Sequence, residues 1–170
     1  MLAVAANIKN KIDEELEHGR GYYLGFKIEQ KDISIIKAFI KKQWLDHIKK
    51  YVPPSWEQFD EIGLERYHEL AHLLNHDFIW QKLNRIFHKE AALYIKSTSL
   101  IKNLEKAYGS ITVVDMENIG HEEFDWRIVR PMQAADIGPL HADSWFLQLG
   151  DGVVPPLGVK RVKVWIALCC

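Results

Sequence analysis

The sequence predicts an α+β fold in a single domain over residues 1–170: a mainly helical portion at 1–109, then an antiparallel β region at 110–170. Three observations predict it. Before residue 109 the apolar residues recur at helical spacing, with Gly and Pro sparse. Beyond 110 the apolar runs become short, β-branched and aromatic, and turn formers separate them. The composition, 48% hydrophobic and 26% charged, can bury a core and excludes a disordered or collagen-like chain.

Taken in order, residues 7–17 read as a short helix stopped by Gly19 and Gly21. Residues 22–28, aromatic and flanked by turn formers, read as a short strand. Asp32 is placed to cap a helix over 33–50, where Ile36, Phe39, Ile40 and Leu45 recur at helical spacing. Pro53 and Pro54 end it. Residues 57–74, 78–88 and 90–107 read as three further helices, and Gly109 closes the series. Residues 111–114 and 124–129 have strand composition. Gly138-Pro139, Gly150 to Gly152 and Pro155-Pro156 mark loops. Residues 159–168 then alternate, with Val162, Val164, Ile166 and Leu168 on one face and Arg161, Lys163, Trp165 and Ala167 on the other. No internal repeat is present.

Charge and cysteine usage narrow the partners. With 22 Lys and Arg against 23 Asp and Glu, the balance gives no support to nucleic acid or an anionic membrane as the main partner. No apolar stretch approaches the ~20 residues of a membrane span. The opening residues lack the basic region and apolar length of a signal peptide. The two cysteines, Cys169 and Cys170, are adjacent and build no disulfide framework. A cytoplasmic protein with reduced thiols, acting on a small molecule, is expected.

Two histidine motifs carry potential chemistry. His68-Glu69-Leu70-Ala71-His72 would, on a straight helix, turn both imidazoles to one zinc ion with Glu69 as general base, as in a zinc-dependent hydrolase. A third ligand is needed, and the remote candidate is Glu90. His76, one turn further on, cannot converge with the other two on one tetrahedral ion. The plainer reading of this motif is a surface stripe of an amphipathic helix. The second motif is His141-Ala142-Asp143. Residues two apart on an extended segment point the same way, so imidazole and carboxylate can share one cation. One His and one carboxylate make two-thirds of the facial triad that holds non-haem Fe(II).

Gly21-Tyr22-Tyr23-Leu24 ahead of the helix at Asp32, then His141-Ala142-Asp143, then Val164-Trp165-Ile166-Ala167-Leu168 resemble, in that order, the phytanoyl-CoA dioxygenase-like family of Fe(II)/2-oxoglutarate-dependent oxygenases. The resemblance implies that residues 110–170 form the first strands of a double-stranded β-helix (jelly-roll or cupin-like), incomplete at its C-terminal end. It makes His141 and Asp143 iron ligands, sets Trp165 beside the 2-oxoglutarate co-substrate, and offers Arg127 or Arg130 for contact with it. Trp145 and Phe146 would line the substrate pocket. The implied reaction is hydroxylation of a small organic substrate by dioxygen, because Asp143 stands where halogenating relatives have a small residue. The chain departs from the family downstream: no His follows Asp143, and Arg161 is the only Arg beyond it. The expectation is therefore a fragment without the third iron ligand, for which His121 is the remaining substitute. A non-enzymatic binding or scaffold domain is the further alternative.

Overall fold

The computed structural model describes residues 2–137, 157–159 and 161–168, and of residues 2–8 the backbone alone. The longest helix, α2 (Gln30–Tyr51), organises the rest. Its residues Asp32, Ile36, Ile40, Trp44 and Ile48 follow at intervals of four and are all buried. That spacing keeps them on one face. The helix stops at Val52, whose N–H bonds to the carbonyl of Ile48, where Pro53 and Pro54 cannot continue the ladder.

Short helices then wrap this face. A 3-10 turn, Pro53–Ser55, leads into α3 (Trp56–Ile62). Gly63 ends α3 in the left-handed region at φ +76. The 3-10 turn Leu64–Arg66, α4 (Tyr67–Leu70), the 3-10 turn Ala71–Leu73, α5 (His76–Ile79) and the 3-10 turn Lys82–Arg85 come after it. Next are α6 (Lys89–Ser97) and α7 (Ser99–Tyr108), separated at Thr98, which leaves helical geometry at ψ 158. On α7 the residues Leu100, Ile101, Leu104 and Ala107 make one buried stripe, and α1 (Leu2–Glu17) packs against that helix.

Trp44 sits at the centre, fully buried, with its ring edge-to-face at 6.2 Å from both Phe59 and Tyr67. Tyr67 continues to Trp80 at 6.0 Å, and Trp80 to Trp126 at 5.5 Å. Each such aromatic pair adds ~0.5–1.5 kcal/mol beyond the area it buries. Beside this cluster Gln43 is buried at 4% exposure, and its Nε2 donates to the carbonyls of Asn84 at 3.1 Å and Ile86 at 2.7 Å.

The fold corrects the expected α+β architecture. Among the described residues there is no sheet and no part of a double-stranded β-helix. The sole β pairing there is one antiparallel bridge between Ile86 and Asp125. The physical reason lies in what the strand-like residues touch. Phe26, Ile28, Ile111, Phe124 and Ile166 pack against Leu100, Ile101 and Leu104 of α7, while Ile128 and Leu168 pack against the Trp44 core. Alternating apolar residues on an extended chain fit any half-buried surface, and here helices provide it. The helix boundaries shift too. Asp32 lies inside the first turn of α2, with its carboxylate accepting from the Tyr94 hydroxyl at 2.8 Å rather than capping. The expected helix at 57–74 breaks at Gly63, and most of 78–88 is turn and extended chain. Among the described residues no helix is long and apolar enough to cross a membrane.

Replacing Gln43 by Leu takes its donor from the buried Ile86 carbonyl and from the half-buried Asn84 carbonyl. Urea denaturation is expected to show a loss of about 2 kcal/mol, whereas Lys42→Ala, on the exposed side of the same helix, stays within about 0.5 kcal/mol of the parent.

Candidate functional site

The described polar groups that lie nearest in sequence to the His141 motif form one buried unit built from three places. The chain at 124–126 is held alongside 85–87 by Phe87 N–H to the Phe124 carbonyl at 2.8 Å and Trp126 N–H to the Arg85 carbonyl at 3.0 Å. It runs on through Arg127 and Ile128 to a β-turn closed by Gln133 N–H on the Arg130 carbonyl at 3.3 Å. Pro131 suits the second position of that turn, and Met132 takes φ +58 at the third. A 3-10 turn, Ala134–Asp136, then brings Asp136 back against Arg130.

Asp136 is the hub. Its carboxylate accepts from the Arg130 backbone N–H at 2.8 Å, from Arg130 Nε at 2.8 Å and from Arg130 Nη2 at 2.6 Å. This is the two-pronged geometry that suits guanidinium and carboxylate. The Asp136 side chain is 1% exposed, and His76 Nε2 faces the same carboxylate at 3.7 Å. On the far side of the imidazole, His76 Nδ1 is 2.9 Å from the Tyr67 hydroxyl, which also receives Trp80 Nε1–H at 2.8 Å.

Indole Nε1 can only donate, so the Tyr67 oxygen accepts there. With the Tyr67 hydrogen given to His76 Nδ1, the imidazole proton sits on Nε2 toward the Asp136 carboxylate, the tautomer that leaves both the phenol hydrogen and the carboxylate partnered. Arg130 hydrogen bonds hold the Asp136 carboxyl down at about 2. Burial, followed by the Arg130 charge, lowers His76, and burial pushes the Tyr67 phenol up to about 12. At neutral pH the unit is one cation, one anion and two neutral rings. It holds no accessible base or nucleophile; its chemistry is anchoring.

The residues predicted from sequence fare differently. His141, Asp143, Trp145 and Phe146 lie outside the described residues. Arg130 is committed to Asp136. Arg127 is exposed, with Nη2 donating to the Asp136 carbonyl at 2.6 Å. Trp165 is 69% exposed with the Lys163 ammonium over its ring at 5.1 Å, while Ile166 and Leu168 turn to the helices. His121 Nδ1 lies 3.0 Å from the Glu122 carbonyl.

The zinc motif does not assemble. The helix changes from α to 3-10 between Leu70 and Ala71, and His68 and His72 are both exposed. Glu69 is gripped twice by Arg66 at 2.7 Å, which lowers its carboxyl, the wrong direction for a general base. Among the described residues no group of three or more His, Cys, Asp or Glu is placed to hold a metal. No family model, curated protein or solved structure matches this chain.

Sequence reasoning missed Asp136, Tyr67 and Trp80, and weighed His76 only as a metal ligand. The available signal was Pro131 between an arginine and an aspartate six residues apart. Nothing local pairs that loop with residues 67–80.

Two outcomes test the unit. Asp136 is shifted below its ordinary 3.8, so it stabilises above about pH 4 and that contribution, about 2 kcal/mol, fades as pH falls toward 2. Urea unfolding of Asp136→Asn is expected to lose this acid dependence and to be weaker by on the order of 3 kcal/mol at pH 7. His76 is also lowered, so the unfolded chain takes its proton first. Stability therefore falls as pH drops below about 6.5, and His76→Phe removes that part of the slope.

Proposed function

We propose that the chain is part of an Fe(II)/2-oxoglutarate-dependent dioxygenase of the phytanoyl-CoA dioxygenase-like type, a hydroxylase of a small organic substrate. The observation that carries this reading is the His141-Ala142-Asp143 pair five residues beyond the anchored Asp136. The donor set fits the metal in kind, since one imidazole nitrogen and one carboxylate oxygen are the ligand types of non-haem Fe(II). They supply two of the three protein ligands such a centre uses, and weak Fe(II) binding is the consequence.

Bound iron and 2-oxoglutarate would supply the oxidation: dioxygen is consumed, 2-oxoglutarate loses carbon dioxide to give succinate, and a substrate C–H becomes C–OH. The protein would bind and orient. His141 and Asp143 would hold the metal, and Arg127 would meet a co-substrate carboxylate better than Arg130, whose charge Asp136 already neutralises. Trp145 and Phe146 supply apolar lining for the substrate. Trp165 supports the reading least, because its ring lies on the exposed side of its segment. A non-enzymatic binding domain is favoured by one observation: the Tyr67, His76, Asp136 and Arg130 groups satisfy one another without any ligand.

Titration with Mn(II), a paramagnetic stand-in for Fe(II), separates the readings. The expected result is broadening of the His141 imidazole NMR signals, identified by His141→Gln, that disappears in Asp143→Ala and persists in His72→Ala. Broadening confined to His68 and His72 would instead support the zinc-hydrolase reading, and no broadening would leave the binding domain.

A further inference from the structure

The chain at 124–137 is attached to the helices in two different ways, which meet at Ile128. Up to Trp126 the attachment is backbone to backbone, through Phe87 N–H on the Phe124 carbonyl and Trp126 N–H on the Arg85 carbonyl. Neither bond contains a titratable group. Ile128 packs on the Trp44 core. Beyond it the hydrogen bonds of residues 129–137 close on the segment itself: Arg130 on Asp136, Gln133 on Arg130, Asp136 on Gln133 and Ile137 on Ala134. Among the described residues, the one polar contact from this segment to the helices is His76 Nε2 facing the Asp136 carboxylate at 3.7 Å.

That contact is built for a neutral imidazole. With Nε2 carrying the proton, a second proton goes to Nδ1, the nitrogen that accepts the Tyr67 hydrogen at 2.9 Å. Nδ1 then becomes a donor facing an oxygen to which Trp80 Nε1–H already donates at 2.8 Å. The Tyr67 hydrogen is left without its acceptor in a residue 1% exposed, and an orphaned buried donor is costly. The groups around His76 divide on the added charge. Burial opposes it first, and the Arg130 guanidinium next. Asp136 favours it, although three hydrogen bonds already commit that carboxylate to Arg130, and so does the exposed Asp77 on the same helix. Arg85, in the 3-10 turn at 82–85, opposes it. Water around the imidazole relieves the conflict, and the loop is the part free to move. His76 itself is tied to the core, because its carbonyl accepts from the N–H of the buried Trp80.

We propose that His76 is an acid-operated latch: a second proton on its imidazole releases residues 129–137 from the helices, while residues 124–126 stay bound. The segment that leads in sequence to His141 then starts from a pH-sensitive attachment, whether or not the oxygenase reading holds. Once released, the Arg130–Asp136 pair faces water, where such a pair contributes little. The Arg130 N–H, bonded to the Asp136 carboxylate at 2.8 Å, therefore opens with the latch, and the Trp126 N–H does not.

Amide hydrogen exchange of the full chain, corrected for the intrinsic rate at each pH, tests the latch. Between about pH 7.5 and about pH 5.5, Arg130 exchange is expected to rise roughly three- to tenfold, the range one proton supplies about a unit below the ordinary imidazole value. Trp126, Phe87 and Trp44 are expected to keep their protection. His76→Gln is expected to abolish the acid dependence at Arg130, and His72→Gln, at an exposed histidine, to retain it. If His76→Gln loses helical circular dichroism, NMR titration of the His76 imidazole in the parent chain carries the comparison. A midpoint that coincides with the rise at Arg130 supports the latch, and a separate midpoint overturns it. Arg130 exchange that is unchanged or slower in acid overturns it as well, because His76 would then tighten on Asp136. A rise shared equally by Trp126, or one that persists in His76→Gln, also overturns it.

Discussion

The side-chain amide of Gln43 lies inside the helical core and gives both its hydrogens to backbone, one to the Asn84 carbonyl and one to that of Ile86. The placement of residues 84–88, and of the chain at 124–137 that attaches to them, depends on this contact. Residues 84–88 are too short and irregular to hold a position through their own helix or sheet, and a buried amide donor fixes them where local propensity cannot. Once Ile86 is fixed it offers an edge to Asp125, and the neighbouring hydrogen bonds of Phe87 and Trp126 extend the attachment. The helical portion thereby positions residues 124–137, with no sheet among the described residues.

From that edge the order passes to charge. Trp126 packs on Trp80, Trp80 bonds Tyr67, Tyr67 bonds His76, and His76 faces the carboxylate that Arg130 holds. Taking one charge of such a pair out of water is costly unless its partner and hydrogen bonds come with it. Asp136 meets that condition with three donors from one residue. The loop at 130–136 is thus defined by a charged contact within itself and a neutral one to the helices.

Legibility in the sequence followed the range of the interactions. The pair Ile36 and Ile40 on α2 was readable because helical periodicity is local, and so were the stops at Pro53 and Gly109. The β region was misread for a definite reason. Residues 124–129 and 159–168 have the β-branched, alternating content of strands, but that content reports half-burial on any surface, and here the surface is α7 and the Trp44 core. The zinc motif failed because His68 and His72 share a face only on a continuous α-helix, and Ala71 begins a 3-10 turn. The Asp136 unit was invisible because its members lie as far apart as Tyr67 and Asp136, and a single sequence carries no sign of which acid meets which base. On residues 162–168 the alternation separates only Ile166 and Leu168, which meet the helices, from Trp165; Val162 and Val164 are exposed as Trp165 is.

Through Gln43 and Asp136 the helical core holds residues 124–137 in place. Amide hydrogen exchange reads this attachment directly, because Phe87 and Trp126 donate backbone N–H groups across it and Arg130 donates one to Asp136 within the loop it holds. These three amides are expected to be protected to nearly the level of Trp44 and Ile48 in α2, reporting one cooperative unit. Exchange of the three at the rate of an unfolded chain, while α2 and α7 stay protected, would contradict it.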